Sequence, residues 1–208
     1  MANLYIGLLH HPIQNRRSEI VTTAITTIDV HDIARTARTY GVVGYHIVTP
    51  LVSQQQIASR IVDYWTKGGE SEDLTHRGEA LALIEIVDRF EISMAQIEAA
   101  EGAVPLTVGT SARDLSDLGV PTVEYQELKR IMEGERRPIY LLFGTGWGIA
   151  DELLERFDCL LPPIRGYPCE DGDSYNHLSV RAAVAIILDR LRGGPSLSRD
   201  DRGGERSA

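Results

Sequence analysis

Phe143-Gly144-Thr145-Gly146-Trp147-Gly148 closes an apolar run. It is followed by Leu160-Leu161-Pro162-Pro163-Ile164-Arg165-Gly166 and then by Tyr175-Asn176-His177-Leu178-Ser179-Val180-Arg181. Each stretch reads as a loop at the end of a strand or at the start of a helix, and three such loops in succession predict one small-molecule pocket. Glycines at 144, 146 and 148 let backbone amides approach a ligand that side chains would hold off, and the Pro162-Pro163 pair stiffens a second wall. The third loop sets hydrogen-bonding side chains before a helix whose first-turn N–H groups are unpaired.

Outward from this stretch, apolar runs of strand length alternate with amphipathic segments of helix length. That order belongs to the α/β class, with a mostly parallel sheet flanked by helices. The predicted strands lie at 3–9, 44–48, 80–87, 104–109, 138–143 and 158–161, and the predicted helices at 29–40, 53–66, 93–101, 124–133, 147–157 and 177–192. Ser53 and Ser93 read as helix caps, Gly41 and Gly102 as C-terminal stops. Residues 67–79 are polar without periodicity and read as a surface loop. The Gly-, Pro- and Ser-bearing tail 193–208 has too few apolar residues for a core and is expected to be disordered, so one domain is predicted over 1–192.

With 208 residues, 43% hydrophobic and 25% charged, the composition is that of a globular protein. No apolar run approaches the roughly 20 residues of a membrane span. The first residues read as a strand and not as a signal peptide, which makes the cytoplasm the expected location. Cys159 is expected to be a core thiol and Cys169 a loop thiol; two cysteines without ligand spacing give neither a disulfide framework nor a metal site. The net charge of −9 argues against a simple phosphate-binding surface. That charge is uneven. Residues 67–101 carry a net of −6, whereas residues 10–41 set Arg16, Arg17, Arg35 and Arg38 against Glu19, Asp29 and Asp32.

A second constellation, Ile28 to Val42, reads as a helix with Ile33, Ala37 and Tyr40 on its apolar face and Arg35 and Arg38 elsewhere. Alone, it is a solvated helix with ion pairs. His10 and His11 precede Pro12 at a strand end and read as a turn lining the substrate face. Thr110-Ser111-Ala112-Arg113 follows an apolar strand and reads as a helix cap.

Taken together, these phrases resemble a known family. Asp29 to Val42 resembles the first motif of ribose 2′-O-methyltransferases of the SpoU/TrmH type, Phe143 to Gly146 their second, and Leu161 to Gly166 with Asn176 to Val180 their third. The chain from Leu4 to about Arg192 further resembles a small bacterial family of S-adenosylmethionine-dependent RNA methyltransferases in the SPOUT superfamily, through Leu8 to Pro12, Val21 to Thr23, Asp29 to Arg35, Thr110 to Arg113, Phe143 to Gly148 and Asn176 to Ala183. The resemblance implies a C-terminal trefoil knot and a homodimer with an active site near the knot. It further implies S-adenosylmethionine as cofactor and an RNA substrate, tRNA or rRNA, with no membrane and no DNA partner.

Cofactor contacts are then expected from Thr110, Ser111, Phe143, Gly144, Thr145, Gly146, Trp147, Gly148, Leu161, Pro162, Ile164, Gly166, Tyr175, Asn176, His177, Leu178 and Ser179. Arg35 is expected to hold a phosphate or a developing oxyanion, because a guanidinium presents a fixed fork of donors. His177, Asp29 and His31 are candidate proton acceptors. The sequence departs from the SpoU pattern by Asp29 where that motif has Asn and His31 where it has Gly, so the acceptor stays open between a ribose oxygen and a base nitrogen. Two rivals are a non-catalytic cofactor- and RNA-binding dimer and a nucleotide-dependent oxidoreductase. The glycine spacing is not the G-x-G-x-x-G of the latter, and no nucleophile elbow suggests a hydrolase.

Overall fold

The apolar run Leu4–Leu9 forms strand β1, and all six of its residues are buried, the pattern of a strand covered on both faces. The computed structural model describes residues 1–67, 72–134, 136–167 and 176–194. After β1 come a short hairpin, β2 (Ile13–Gln14) and β3 (Ile20–Val21), then α1 (Thr27–Thr39), β4 (Gly44–Val48), α2 (Val52–Lys67) and α3 (Glu72–Leu81). β5 (Ile84–Val87), α4 (Phe90–Glu101), β6 (Leu106–Gly109), α5 (Tyr125–Gly134), β7 (Ile139–Gly144), α6 (Asp151–Leu154), β8 (Cys159–Leu160) and α7 (Val180–Arg192) follow.

Six strands form one sheet in the order β5-β4-β1-β7-β6-β8, and every pairing in it is parallel. The connections sort by direction. Steps toward β5 run through α1, α2 and α3, and the step from β6 back to β7 runs through α5; residues of all four helices pack into one core with Leu4, Ile6 and Leu8. Steps the opposite way run through α4 and α6, which share the other core with Tyr5, Leu9 and Tyr140. Opposite directions over opposite faces amount to a single crossover hand, as parallel strand connections require. After β8 at one edge, the chain returns to lay α7 against α1, α5 and β7 on the first face.

The strands fall within a few residues of their predicted places, and three differences have physical causes. The polar stretch predicted as a loop over 67–79 contains α3, and the apolar residues after it end that helix instead of starting a strand: Ala80 and Leu81 are buried against the first core. Ser93 is no cap. α4 begins at Phe90, and the Ser93 hydroxyl donates to the Phe90 carbonyl at 2.7 Å inside the helix. Ser53 likewise falls inside α2, which starts at Val52. Gly102 caps α4 in the left-handed region at φ 71° as expected, and Gly41 follows α1 at φ 65°. Cys159 is the buried core thiol predicted, and burial pushes it up to about 11. Cys169 and the segment from 195 onward lie outside the described residues.

Candidate functional site

Neighbouring strands β1 and β7 send their chains in opposite directions, to β4 and to β8, which makes their carboxyl ends the topological switch point, the place where open α/β sheets bind ligands. The glycine stretch forms the turn leaving β7. Its Thr145 hydroxyl donates to the Leu9 carbonyl at 3.1 Å and lies 2.5 Å from the Thr23 hydroxyl. Gly148 N donates to Thr145 O at 3.0 Å, Gln14 N to Gly148 O at 2.9 Å and Ala150 N to Pro12 O at 3.1 Å, which pins the turn to the β2–β3 hairpin.

The turn itself demands the glycines, in addition to the room they leave for a ligand. Gly146 and Gly148 sit at φ +58° and +105°, where a side chain strains the backbone. A Cβ on Gly144 would stand 2.7 Å from Ile149 N. Trp147 is not a helix start, since α6 begins only at Asp151; its ring is half-exposed with the Arg16 guanidinium 5.0 Å above it. The Phe143 side chain is buried in the core, so what it offers a ligand is backbone.

Beside this turn, Leu161 N donates to Gly109 O at 2.9 Å, and Pro162 and Ile164 are half-buried. Asn176 closes the loop on itself: its Oδ1 accepts from Gly166 N at 2.9 Å and its Nδ2 donates to Ile164 O at 3.0 Å. His177, Leu178 and Ser179 are exposed, Ser179 capping α7. Tyr175 lies outside the described residues. No helix follows Thr110-Ser111 directly, so these are not a cap. The Thr110 hydroxyl donates to Leu142 O at 2.9 Å, Ser111 Oγ accepts from Arg113 N, and Arg113 Nη2 reaches Asp151 Oδ1 at 2.7 Å, joining two of the loops. That guanidinium holds the Asp151 carboxyl below its ordinary value.

α1 brings the remaining candidates, and its local sequence explains how. The Thr26 hydroxyl accepts from Asp29 N at 3.2 Å as N-cap and donates to Asp29 Oδ2 at 2.5 Å, so the Asp29 side chain folds back into the helix start. Arg181 Nη1 on α7 stands 3.3 Å from the other Asp29 oxygen, and its Nε 3.5 Å from Asp32. Asp29 is thus buried under an ion pair. Arg35, nearly two turns on, is exposed and lines a groove of about 550 Å³ between α1 and α7 together with Asp32, Thr36, Ser179, Arg181 and Ala182. Arg38 is held by Glu79 at 3.3 Å, whereas among the described residues no carboxylate pairs with Arg35.

The structure therefore gathers Arg35, Asp29 and the start of α7, and it leaves His31 out. That ring packs edge-on against Trp65 of α2 at 5.7 Å, and burial, then Arg77, lowers its pKa. His10 does not line a substrate face either: it is fully buried. Arg181, Arg113 and Thr23 carry contacts that sequence reading did not assign. Their only signal was membership of the quoted phrases.

A family model described as SAM-dependent RNA methyltransferase matches residues 3–193. A tRNA (guanine-N(1)-)-methyltransferase of Oleidesulfovibrio alaskensis is 39% identical over 191 residues, 92% of this chain and 42% of that protein. The chain thus spans less than half the length of that relative. An uncharacterised protein of Aquifex aeolicus is 40% identical over 189 residues, 91% of this chain and 88% of that one. Among solved structures, the Aquifex aeolicus TrmH/SpoU tRNA modifying enzyme superposes with a TM-score of 0.51 at 17% identity, over 96% of this chain and 82% of that one. At that identity the likeness concerns the fold alone. Matched over nearly its whole described length, the chain belongs to the SAM-dependent RNA methyltransferase family.

Proposed function

We propose that this chain transfers a methyl group from S-adenosylmethionine to a tRNA, with the cofactor seated on the strand-end loops and the RNA along the α1–α7 groove. The observation that carries this is the meeting of Arg35, a cation without a carboxylate partner among the described residues, with Ser179, where the third loop ends and α7 begins. The switch point fits the cofactor. The glycine turn offers backbone, the following Pro162 and Ile164 are half-buried, and Arg113 beside Gly148 is paired with Asp151, which lowers its repulsion of a sulfonium, while Arg16 is turned onto the Trp147 ring. Bound S-adenosylmethionine supplies an electrophilic methyl group.

Arg35 holds a phosphate or the charge developing on the acceptor, and the exposed imidazole of His177 takes the proton the acceptor loses. Asp29 serves by fixing Arg181 and the start of α1, and His31 stands aside in the helix packing. The name of the longer relative supports a tRNA as the substrate class. Incubation with labelled S-adenosylmethionine and either tRNA or rRNA from cells lacking the protein should label tRNA, and nucleoside digestion then reads whether oxygen or nitrogen was methylated. A chain that binds the cofactor and labels neither RNA is the non-catalytic module instead.

The homodimer and the trefoil threading belong to the same proposal. Ile28 in the first turn of α1 and Leu178 just before α7 are each about half exposed, and α7 returns across β7 after the chain has reached the edge strand β8. Sedimentation at micromolar protein with saturating cofactor should give a dimer; a monomer alone overturns that part. No helix among the described residues is long and apolar enough to cross a membrane. A cytoplasmic location is proposed from the RNA substrate.

A further inference from the structure

Behind the glycine turn runs a half-buried chain of hydrogen bonds, ending on the buried His10, that the roles above do not use. The Thr145 hydroxyl donates to the Leu9 carbonyl at 3.1 Å, the Thr145 and Thr23 hydroxyls are 2.5 Å apart, and the Thr23 hydroxyl is 3.0 Å from His10 Nδ1. A carbonyl only accepts and a hydroxyl carries one proton, so the direction of the chain is forced. Thr145 has given its proton to Leu9, hence Thr23 donates to Thr145. Thr23 has then given its own, hence it accepts from His10. His10 must carry its proton on Nδ1, which leaves Nε2 bare in the interior, without a hydrogen-bond partner among the described residues. Burial lowers the His10 pKa to about 4, with Asp29 opposing, which keeps the ring in this neutral form. The backbone adds a second tie, Thr23 N donating to His10 O at 2.9 Å.

We propose that His10 is a positioning residue for the cofactor loop: as the donor at the head of this chain it locks the Thr23 hydroxyl on Thr145 and so sets the Thr145–Gly148 turn. The proposal rests on the reading of that turn as part of the S-adenosylmethionine site. A one-way chain polarises each hydroxyl along it. Without the imidazole donor, the Thr23 hydroxyl gains a free acceptor position and rotamers that no longer face Thr145.

Calorimetry with S-adenosylmethionine alone tests this, with thermal melting run on every variant. His10→Leu and Thr23→Val should each raise Kd about tenfold at a temperature where both remain folded. His10→Asn, which keeps a donor near the Nδ1 position, should stay within about threefold of the parent. The double variant His10→Leu/Thr23→Val should bind no more weakly than Thr23→Val alone, because a chain cut in its middle has nothing further to lose at its head. A merely structural His10 would lower the melting temperature without this pattern in Kd. Parental affinity in folded His10→Leu, or multiplying losses in the double variant, overturns the proposal. If His10→Leu does not fold, parental affinity in Thr23→Val does the same. A parent chain that binds no S-adenosylmethionine defeats the cofactor reading itself, and this inference with it.

Discussion

Replacing Arg35 with alanine should lower methyl transfer about 100-fold while leaving S-adenosylmethionine affinity nearly unchanged. Arg35 stands exposed on α1 over the groove that also contains Ser179 and Arg181, and among the described residues it is not neutralised by a carboxylate. A guanidinium repels a sulfonium and attracts a phosphate or a developing oxyanion, so its loss is felt by the RNA and by the transition state. Arg35→Lys should restore little, because an ammonium does not reproduce the forked geometry. Arg38→Ala is the control. That side chain lies three residues further along α1, paired with Glu79, and its removal should leave transfer unchanged. Parental transfer in Arg35→Ala would reduce Arg35 to a surface charge and remove the main support for the groove as the RNA path.

Acid should destabilise the fold well before its carboxylates protonate. Burial lowers both His10 and His46 from 6.5 to about 4, His10 at the end of β1 and His46 beside the Tyr5 and Tyr140 rings in β4. Their folded values lie below the unfolded one, so between pH 6.5 and 4 the unfolded chain takes up protons that the native protein refuses. The stabilisation is complete above 6.5 and is lost as pH falls through that window. At most about 3 kcal/mol per histidine is at stake, and the two together would remove a large part of an ordinary domain's 5–15 kcal/mol. Urea melts at pH 7, 5.5 and 4.5 should show the decline, and His46→Phe should roughly halve its slope. A stability that stays flat across the window would contradict the burial of these two rings.

What the sequence could disclose follows from range. Strands buried on both faces announce themselves as continuous apolar runs, and the helix Thr27–Thr39 is marked by Thr26 and Asp29 at its start, so the sheet and α1 were legible locally. The hairpin of β2 and β3 was not: two residues a side carry no periodicity, and what holds them are bonds from His10 to Thr23 and from Gln14 to Gly148, between residues far apart in the chain. The sequence of α3 starts polar, and among its described side chains the buried ones are Ala80 and Leu81 at its end, so no helical periodicity marks it. At the site, the glycine turn was visible but its own need for the glycines was not, since a positive φ cannot be told from ligand contact by spacing. His31 and His177 looked alike in sequence; only the packing of Trp65 against the first separates them.

β1 is a middle strand whose two neighbours are made at very different times. Leu9 meets Val48 on one side and Gly144 on the other. During synthesis the half built from β1, β4 and β5 can therefore assemble while the other flank of β1 is still an open edge, and Leu4–Leu9 offers there six residues that the finished fold buries, in register for pairing. Any fragment that stops short of Ile139 carries that bare template permanently. The same arrangement that brings the first strand to the switch point makes a truncated product of this chain prone to self-association.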